Sequence, residues 1–460
     1  MSTSPSTQQD QIPTQAGILE ALDEALSSTD GPVELSAIWQ RIDLTRFSGD
    51  RVHQNVTDAQ TRSWARAWSP GGCGFAITSA LEPDRLGAAV SEAKANSFVA
   101  EGKEIELPSS GTLSAEAFFE ATADFNSSAR AKLAGEIQQV VGPDADSHGN
   151  VRIATQVCAV ANSEGLRTAY SATYAALNLV AQAEGRSTGY GGAIGRDVDA
   201  LDFLGAAERA RDIALDGREP VVLDPGRYEV LLDPPAVSML LVSLGYVGLN
   251  VFGATSARAI DAWHRPGRRV GSDVLTLVDD PTDRAALFSP VDSEGTERSA
   301  LTLIEGGESV GVAHDLTSAE IDGTGTTGHA LHPGDKGPAP HSLTMPSGTK
   351  SRSELISGMK KGLIVNRIHP FVTLRGGPDG VLSGTTRDGV FLVENGEIVA
   401  PVANVRWSNS MTDLLGSLEA VSVERSVEFM DLPEFSPHTA HVPSLYATHF
   451  TAHGSQPRER

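Results

Sequence analysis

The chain has 460 residues, with 36 Lys or Arg against 59 Asp or Glu and a formal net charge of −23. Hydrophobic residues make up 40% and charged residues 21%, as in an ordinary globular protein long enough to bury a large core. The acidity excludes a general binder of nucleic acid or anionic membrane, since either would need a basic face. Two cysteines, Cys73 and Cys158, exclude a disulfide framework and a zinc site built from thiolates alone.

Both ends of the chain, residues 1–13 and 454–460, are predicted to be disordered tails. Met1–Gln15 is rich in Ser, Thr and Gln and has no positive charge or apolar run, so we expect no signal peptide. The most apolar stretch, Ala236–Ala254, is interrupted by Gly, Ser and Asn, so we expect no membrane span. These features favour a cytoplasmic protein with neither a membrane nor a nucleic acid as its partner.

The first half of the chain is predicted to alternate helices and strands, from the spacing of its apolar residues. Its first elements are a helix over Ala16–Ser27, strands over Val33–Arg46, Arg51–Arg66 and Gly71–Ile77, and a helix over Arg85–Asn96. After a helix over Ala115–Val141, a similar series follows: strands over Val151–Ala161, Arg167–Ala183 and Gly189–Ile194, and a helix over Phe203–Leu215. Gly74 and Gly192 are 118 positions apart, as are the Leu-Gly-Ala-Ala runs that begin at Leu86 and Leu204. This similarity predicts a duplicated strand-strand-helix unit.

Residues 216–228 carry two Gly and two Pro and are predicted to be a linker. We therefore expect an N-terminal α/β domain at 14–218 and a mostly-β domain at 226–453, which makes an α+β protein. The second part begins with a strand over Tyr228–Leu232 and a helix over Pro234–Leu249. Eight of the sixteen residues of that helix are Val, Leu or Met, so we expect it to be packed as core.

The sequence has no P-loop and no dinucleotide fingerprint following a strand. Ten of its twelve histidines lie at or after His264, and imidazole is a good zinc ligand. A metal site could draw on six of them: His329, His332, His438, His441, His449 and His453. The alternative is that they are ordinary loop and edge residues.

Three stretches of the second half, Gly362–Arg367, Leu382–Val402 and Asp413–Val421, resemble the TldD/PmbA family of zinc peptidases. The central one contains a Thr-Arg-Asp-Gly turn, an apolar strand, Glu-Asn-Gly-Glu-Ile and Pro-Val. Weaker similarity at Thr326–Ala330 and Ala161–Gly165 extends the resemblance from about residue 15 to 453. Asn395-Gly396 also predicts a tight hairpin on physical grounds alone.

The resemblance implies a helix carrying His-Glu-x-x-x-His in zinc-bearing members, with the Glu activating a metal-bound water. Val242, Ser243 and Val247 stand in those positions here, and a further Cys ligand near the C-terminus is missing from residues 435–443. The sequence thus resembles the non-zinc TldE/PmbA subunit. It implies no catalytic residue, metal or cofactor in this chain, zinc in a TldD-like partner, and a heteromeric peptidase acting on small or unfolded peptides.

His329, Arg387 and Asp388 are the expected substrate contacts, in loops that carry the resemblance. An Arg beside an Asp in a turn could instead be a structural ion pair. Two other functions stay open: an independent metallohydrolase that uses the C-terminal histidines, and a stand-alone peptide-binding protein.

Overall fold

The computed structural model describes residues 12–70, 72–98, 105–109, 117–247, 266–287, 289–332, 338–340, 342–375, 380–430 and 438–455. Most of both predicted tails, 1–13 and 454–460, lies outside these ranges. Within them the chain forms two β-sheets with helices packed against them. The predicted α+β class and the β-rich second half are confirmed. No helix of the described part is long and apolar enough to cross a membrane.

The first sheet has six antiparallel strands in the spatial order β3-β2-β1-β4-β5-β6. They are β1 (Val33–Ser48), β2 (Arg51–Ser69), β3 (Gly72–Thr78), β4 (Ala145–Asn162), β5 (Arg167–Ala183) and β6 (Thr188–Gly195). At the centre β1 pairs with β4, with Glu34 opposite Asn162 and Ser48 opposite His148. Two three-stranded meanders thus meet about a pseudo-twofold axis, and this topology agrees with the predicted duplication.

The helices repeat with the strands. Those of the first half are α1 (Gln15–Ser27), α2 (Pro83–Ser97), α3 (Glu120–Ala123), α4 (Ser127–Val141) and α5 (Phe203–Asp216). α2 packs on β3 and β2, and α5 packs in the same way on β6 and β5. The predicted helix over Ala115–Val141 is wrong in its length, because Asn126 caps a new helix by accepting hydrogen bonds from the backbone N–H groups of Ser128 and Ala129.

Glycine contacts correct the predicted offset of the repeat. A Cβ on Gly74 would lie 2.2 Å from the carbonyl oxygen of Ala93, and one on Gly189 would lie 2.1 Å from that of Ala210. Gly189, rather than Gly192, is therefore the counterpart of Gly74. Both glycines let a strand lie directly against the backbone of its helix. The sequence match fails because it aligned glycines that face differently in the strand.

The second sheet has twelve strands in the described residues. They are β7 (Gly226–Leu232), β8 (Arg268–Arg269), β9 (Leu277–Asp279), β10 (Leu301–Glu305), β11 (Glu308–Ser309), β12 (Ser342–Thr344), β13 (Lys361–Arg375), β14 (Val381–Glu394), β15 (Glu397–Pro401), β16 (Val405–Ser410), β17 (Leu418–Met430) and β18 (His438–Ser455). Their main order is β15-β14-β13-β7-β18-β12-β9-β10-β11-β8, and β17 pairs with β18. The helices are α6 (Pro234–Val247), α7 (Leu316–Asp322), α8 (Arg352–Gly358) and α9 (Met411–Gly416).

Two predicted turns have different outcomes. The Asn395-Gly396 hairpin is confirmed, with φ of 52° and 83° between the paired residues Glu394 and Glu397. The Thr-Arg-Asp-Gly segment is not a connecting turn, because it lies inside β14. Asp388 and Gly389 there have φ of 53° and 113°, and the β13–β14 register shifts beside them, so the segment is a β-bulge.

Helix α6 packs in the core of the second sheet, as predicted. Ala236, Val237, Leu240 and Leu241 are each at most 1% exposed and belong to its main apolar cluster. The predicted end of the helix at Leu249 lies outside the described residues.

Buried polar contacts join the first sheet to the second half of the chain. Arg66 on β2 contacts Glu34 on β1, and its Nη1 donates to Glu294 Oε1 at 2.6 Å. Arg196 donates to the carbonyl oxygens of Asp283 and Ala286. Burial raises the pKa of Glu34 and of Glu294 to about 7. The sheet face opposite the helices is therefore covered by the second half of the chain.

We expect Gly191→Ala to lower the free energy of unfolding by about 1–3 kcal/mol, since its Cβ would lie 2.0 Å from the carbonyl oxygen of Ala206. Gly87→Ala is the matched control. Gly87 lies inside α2 with nothing within 4 Å of a Cβ, so the change should stabilise by about 0.5–1 kcal/mol. Urea unfolding followed by circular dichroism measures both. Equal midpoints for the two variants would contradict the close packing of β6 on α5.

Candidate functional site: a polar cleft between the sheets

A cleft of about 310 Å³ lies between the first sheet and the second. One wall is formed by strands of the first sheet, from which Arg46, His148, Asn150, Arg152, Asn178 and Tyr190 line the cleft. Since side chains alternate along a strand, His148, Asn150 and Arg152 share one face of β4. Asn150 is paired with Arg46 on β1 and with Asn178 on β5, so these polar groups lie side by side across three strands.

The opposite wall comes from α6, β13 and β17. Its lining residues are Pro235, Ser238, Met239, Arg367, Glu428 and Phe429. Asp233 anchors the start of α6: its carboxylate accepts hydrogen bonds from Arg352 Nε at 2.7 Å and Arg352 Nη2 at 2.8 Å, and one from Ser444 Oγ. This bidentate pair fixes the end of α6 that faces the cleft.

Two cation–π contacts connect the walls. The Arg367 guanidinium lies 4.2 Å from the centre of the Tyr190 ring, and that of Arg152 lies 5.7 Å from the centre of the Phe429 ring. Each is worth about 0.5–2 kcal/mol, so the arginines hold the walls together while their charge remains in the cleft. Tyr190 in turn donates through its hydroxyl to Asn178 Oδ1 at 3.0 Å.

Glu428 is an acid in a cationic cleft. It is 7% exposed, and its Oε1 accepts a hydrogen bond from Ser426 Oγ at 2.7 Å. Burial raises the pKa of Glu428 to about 7, against the opposing effect of Ser426, Arg209 and Arg367. Near neutral pH the group is therefore poised between its protonated and ionised forms.

The expected substrate contact His329 lies in a buried network. Its Nε2 is 2.7 Å from Asp279 Oδ2, and the same carboxylate accepts two hydrogen bonds from Arg298 Nη2. The side chains of His329, Asp279 and Arg298 are all 0% exposed. The loop that carries His329 is thus held by ionic hydrogen bonds below the surface.

Arg387 and Asp388 are separated in the structure. Arg387 is exposed on β14, whereas Asp388 is 4% exposed and pairs with Arg367, at 3.3 Å between Nη1 and Oδ2. The ion pair proposed as the alternative thus exists, but with Arg367 in place of Arg387. Of these three residues only Arg367 is among the described residues that line the cleft.

The C-terminal histidines lie in different surroundings. The His332 ring stacks on Trp64 at 3.9 Å, and burial lowers the pKa of His332 to about 3. His441 Nδ1 is 2.7 Å from Asp283 Oδ2, and His438 is 1% exposed. Across the described ranges, no three His, Cys, Asp or Glu side chains gather where they could hold a metal ion. His264 and His341 lie outside those ranges.

Sequence reasoning missed the residues that line the cleft. The predicted strand begins at Val151, six positions after the observed start of β4 at Ala145, and so leaves out His148 and Asn150. The polar alternation of His148, Asn150 and Arg152 was the available signal. Nothing in the sequence indicated that Arg367 and Glu428, on two other strands, would lie opposite them.

Comparison with known proteins places this architecture in a family. Residues 117–218 match the PmbA/TldA metallopeptidase central domain, and residues 225–454 match the PmbA/TldA metallopeptidase C-terminal domain. The chain belongs to the TldD/PmbA metallopeptidase family. The predicted resemblance is therefore confirmed.

One curated relative is Metalloprotease MJ0996 of Methanocaldococcus jannaschii, which is 26% identical over 232 residues. That match covers 48% of this chain and 49% of the relative, so the chain matches about half the length of that protein. Among solved structures, TldE from Thermococcus kodakarensis has a TM-score of 0.80 at 20% identity, covering 95% of this chain and 99% of that one. A proposed modulator of a DNA gyrase from Thermotoga maritima has a TM-score of 0.79 at 18% identity, covering 94% and 99%. These likenesses establish a shared fold.

Zinc, which the name metallopeptidase implies, can be tested against the residues of α6. Between Pro234 and Val247 the sequence contains no His, Cys, Asp or Glu. The side chains of Val242, Ser243 and Val247 lie outside the described residues, but their chemistry offers no imidazole or carboxylate. The hydroxyl of Ser238, at the cleft, donates to the carbonyl oxygen of Pro235 at 3.0 Å. This helix therefore does not fit the zinc site expected in metal-bearing members of the TldD/PmbA family.

We expect Asp279→Asn to lower the free energy of unfolding by about 3–5 kcal/mol, because it leaves the Arg298 guanidinium buried without its counter-charge. Asp273→Asn removes an equivalent charge from an Arg269 pair that is exposed, so it should cost less than about 1 kcal/mol. Thermal unfolding compares the two variants. Similar melting temperatures would mean that the His329 network does not hold its loop.

We expect Glu428→Gln to stabilise the protein at pH 8 but not at pH 5. The pKa of Glu428 is raised from 4.5 to about 7 on folding. The contribution of this group to the free energy of unfolding is thus fully present below about pH 4.5. As pH rises through 7, the free energy of unfolding falls by up to about 3 kcal/mol. Glutamine keeps an acceptor for Ser426 without the charge. Melting temperatures at pH 5, 6, 7 and 8 should show a growing advantage for the variant, and a constant difference would refute this assignment.

Proposed function

We propose that this chain is the zinc-free subunit of a heteromeric peptidase that acts on small or unfolded peptides, with zinc held by a TldD-like homologue. The observation that carries the proposal is that α6 lines the cleft through Pro235, Ser238 and Met239 and carries no metal ligand. The family's fold is thus retained around a cleft whose helix cannot supply the metal chemistry.

A subunit of this kind acts by enclosing substrate and binding its partner. The two-walled cleft is large enough for a few peptide residues and offers hydrogen-bonding and charged groups on both sides. Two homologous chains of like shape also tend to associate about a pseudo-twofold axis.

The first experiment is the zinc content per chain, by elemental mass spectrometry after mild chelation and re-addition of zinc. We expect a value near zero, because α6 lacks imidazole and carboxylate groups. A value near one would contradict the proposal and favour an independent metallohydrolase. His449→Ala and His453→Ala would then show whether the C-terminal histidines hold the metal.

The second experiment measures hydrolysis of an unfolded peptide by the chain alone, by a zinc-bearing TldD-like homologue from the same organism, and by their mixture. We expect full activity in the mixture only, and its loss when a zinc-ligand His of the homologue is replaced by Ala. Hydrolysis by this chain, alone and zinc-free, at a rate comparable to the mixture would overturn the proposal. A stand-alone peptide-binding protein would bind peptide but leave the homologue's activity unchanged.

A further inference from the structure

The cleft has the opposite charge to the chain as a whole. Arg46, Arg152 and Arg367 line it, whereas Glu428 is the one acid among its described lining residues. The whole chain carries a formal charge of −23. A surplus of guanidinium groups between low-dielectric walls concentrates a positive potential and attracts an anionic group.

Two of the residues that line this cleft each have a buried polar atom with no hydrogen-bond partner in the structure: Nε of Arg152, a donor, and Oδ1 of Asn150, an acceptor. Nearly all buried polar atoms in folded proteins have a partner, so a pair that lines one cleft calls for an explanation. The two residues share a face of β4 and are two positions apart, about 6–7 Å along the strand.

A ligand that satisfies both atoms needs an acceptor and a donor at about that separation. A guanidinium matches a carboxylate in shape and charge, and an amide oxygen accepts from a peptide N–H. The carboxyl-terminal end of a peptide carries both groups. An acidic side chain within a peptide offers the same carboxylate beside the same main-chain N–H groups.

We propose that the cleft binds a peptide through a carboxylate, with Arg152 donating to that group and Asn150 accepting from a main-chain N–H of the peptide. The proposal rests on the proposed function for its substrate class and adds the chemistry by which this subunit recognises it. Arg46 is exposed on the strand next to Asn150 and adds charge on that wall. Arg367 is already paired with Asp388, so its main part is to position the Tyr190 wall.

The experiment is isothermal titration calorimetry on the full chain, alone and in complex with the TldD-like homologue whose zinc ligands have been replaced. The probes are acetyl-pentaalanine with a free carboxylate, the same peptide as its C-terminal amide, and acetyl-Ala-Ala-Glu-Ala-Ala-amide. We expect the amide of pentaalanine to bind at least ~10-fold more weakly than the acid, because its neutral carboxamide oxygen is a weaker partner for a guanidinium than a carboxylate is.

Arg152→Gln should weaken binding of the acid at least ~10-fold and reduce the difference in affinity between the acid and the amide to within ~2-fold. Asn150→Leu should weaken the acid and the amide alike, because both peptides carry the N–H groups. Lys132→Gln is the charge control: Lys132 is 80% exposed on α4, on the helical side of the first sheet, and the change should leave both affinities unaltered. Circular dichroism of each variant shows whether it remains folded.

The remaining outcomes show whether the bound carboxylate is the peptide C-terminus or an acidic side chain, or they overturn the proposal. If the glutamate peptide binds like the acid and depends on Arg152, the cleft accepts a side-chain carboxylate as well. If acid and amide bind equally, or if Arg152→Gln is without effect in a folded variant, the proposal is wrong. No saturable binding of the acid, or displacement by inorganic phosphate without any carboxylate-dependent peptide binding, also overturns it. Because the readout is binding, zinc found in this chain would refute the proposed function without deciding this question.

Discussion

The structure depends on burial of both faces of the six-stranded sheet. One face packs against α1, α2, α4 and α5, and the other packs against the second half of the chain. The second contact is partly polar, with Arg66 held between Glu34 and Glu294 at less than a tenth exposure. Charges taken out of water in this way favour one arrangement, because any shift would leave one of them without its partner. The relative position of the sheets, and hence the cleft between them, follows from this constraint.

The cleft lies where the two sheets are not packed directly against each other. Arg152 and Arg367 each reach an aromatic ring of the opposite wall, so the gap is held open by charged side chains rather than filled by apolar ones. The same contacts keep guanidinium groups in a partly desolvated place, where they act more strongly on an anion than they would at the surface. The proposed function and the carboxylate site therefore share one structural cause.

Helix α6 is packed by apolar residues and carries no His, Cys, Asp or Glu between Pro234 and Val247. Ala236, Val237, Leu240 and Leu241 form the buried side of the helix, and Asp233 secures its first turn through Arg352. The packing of this helix therefore depends on its apolar residues and on the Asp233–Arg352 pair, and on no metal ligand.

The sequence by itself determined most of the first sheet, the helices α1, α2 and α5, the α+β class and the Asn395-Gly396 hairpin, because alternation, helical spacing and turn chemistry act over a few neighbouring residues. Its motifs also indicated the family. It also established that α6 lacks metal ligands. Only the tertiary structure decided which polar residues meet, since Arg152, Arg367 and Glu428 come from three strands far apart in the chain. It also placed Asp388 in a bulge, paired with Arg367, and His329 in a buried network with Asp279 and Arg298. These partners lie more than ten residues away in the chain, which no local pattern encodes.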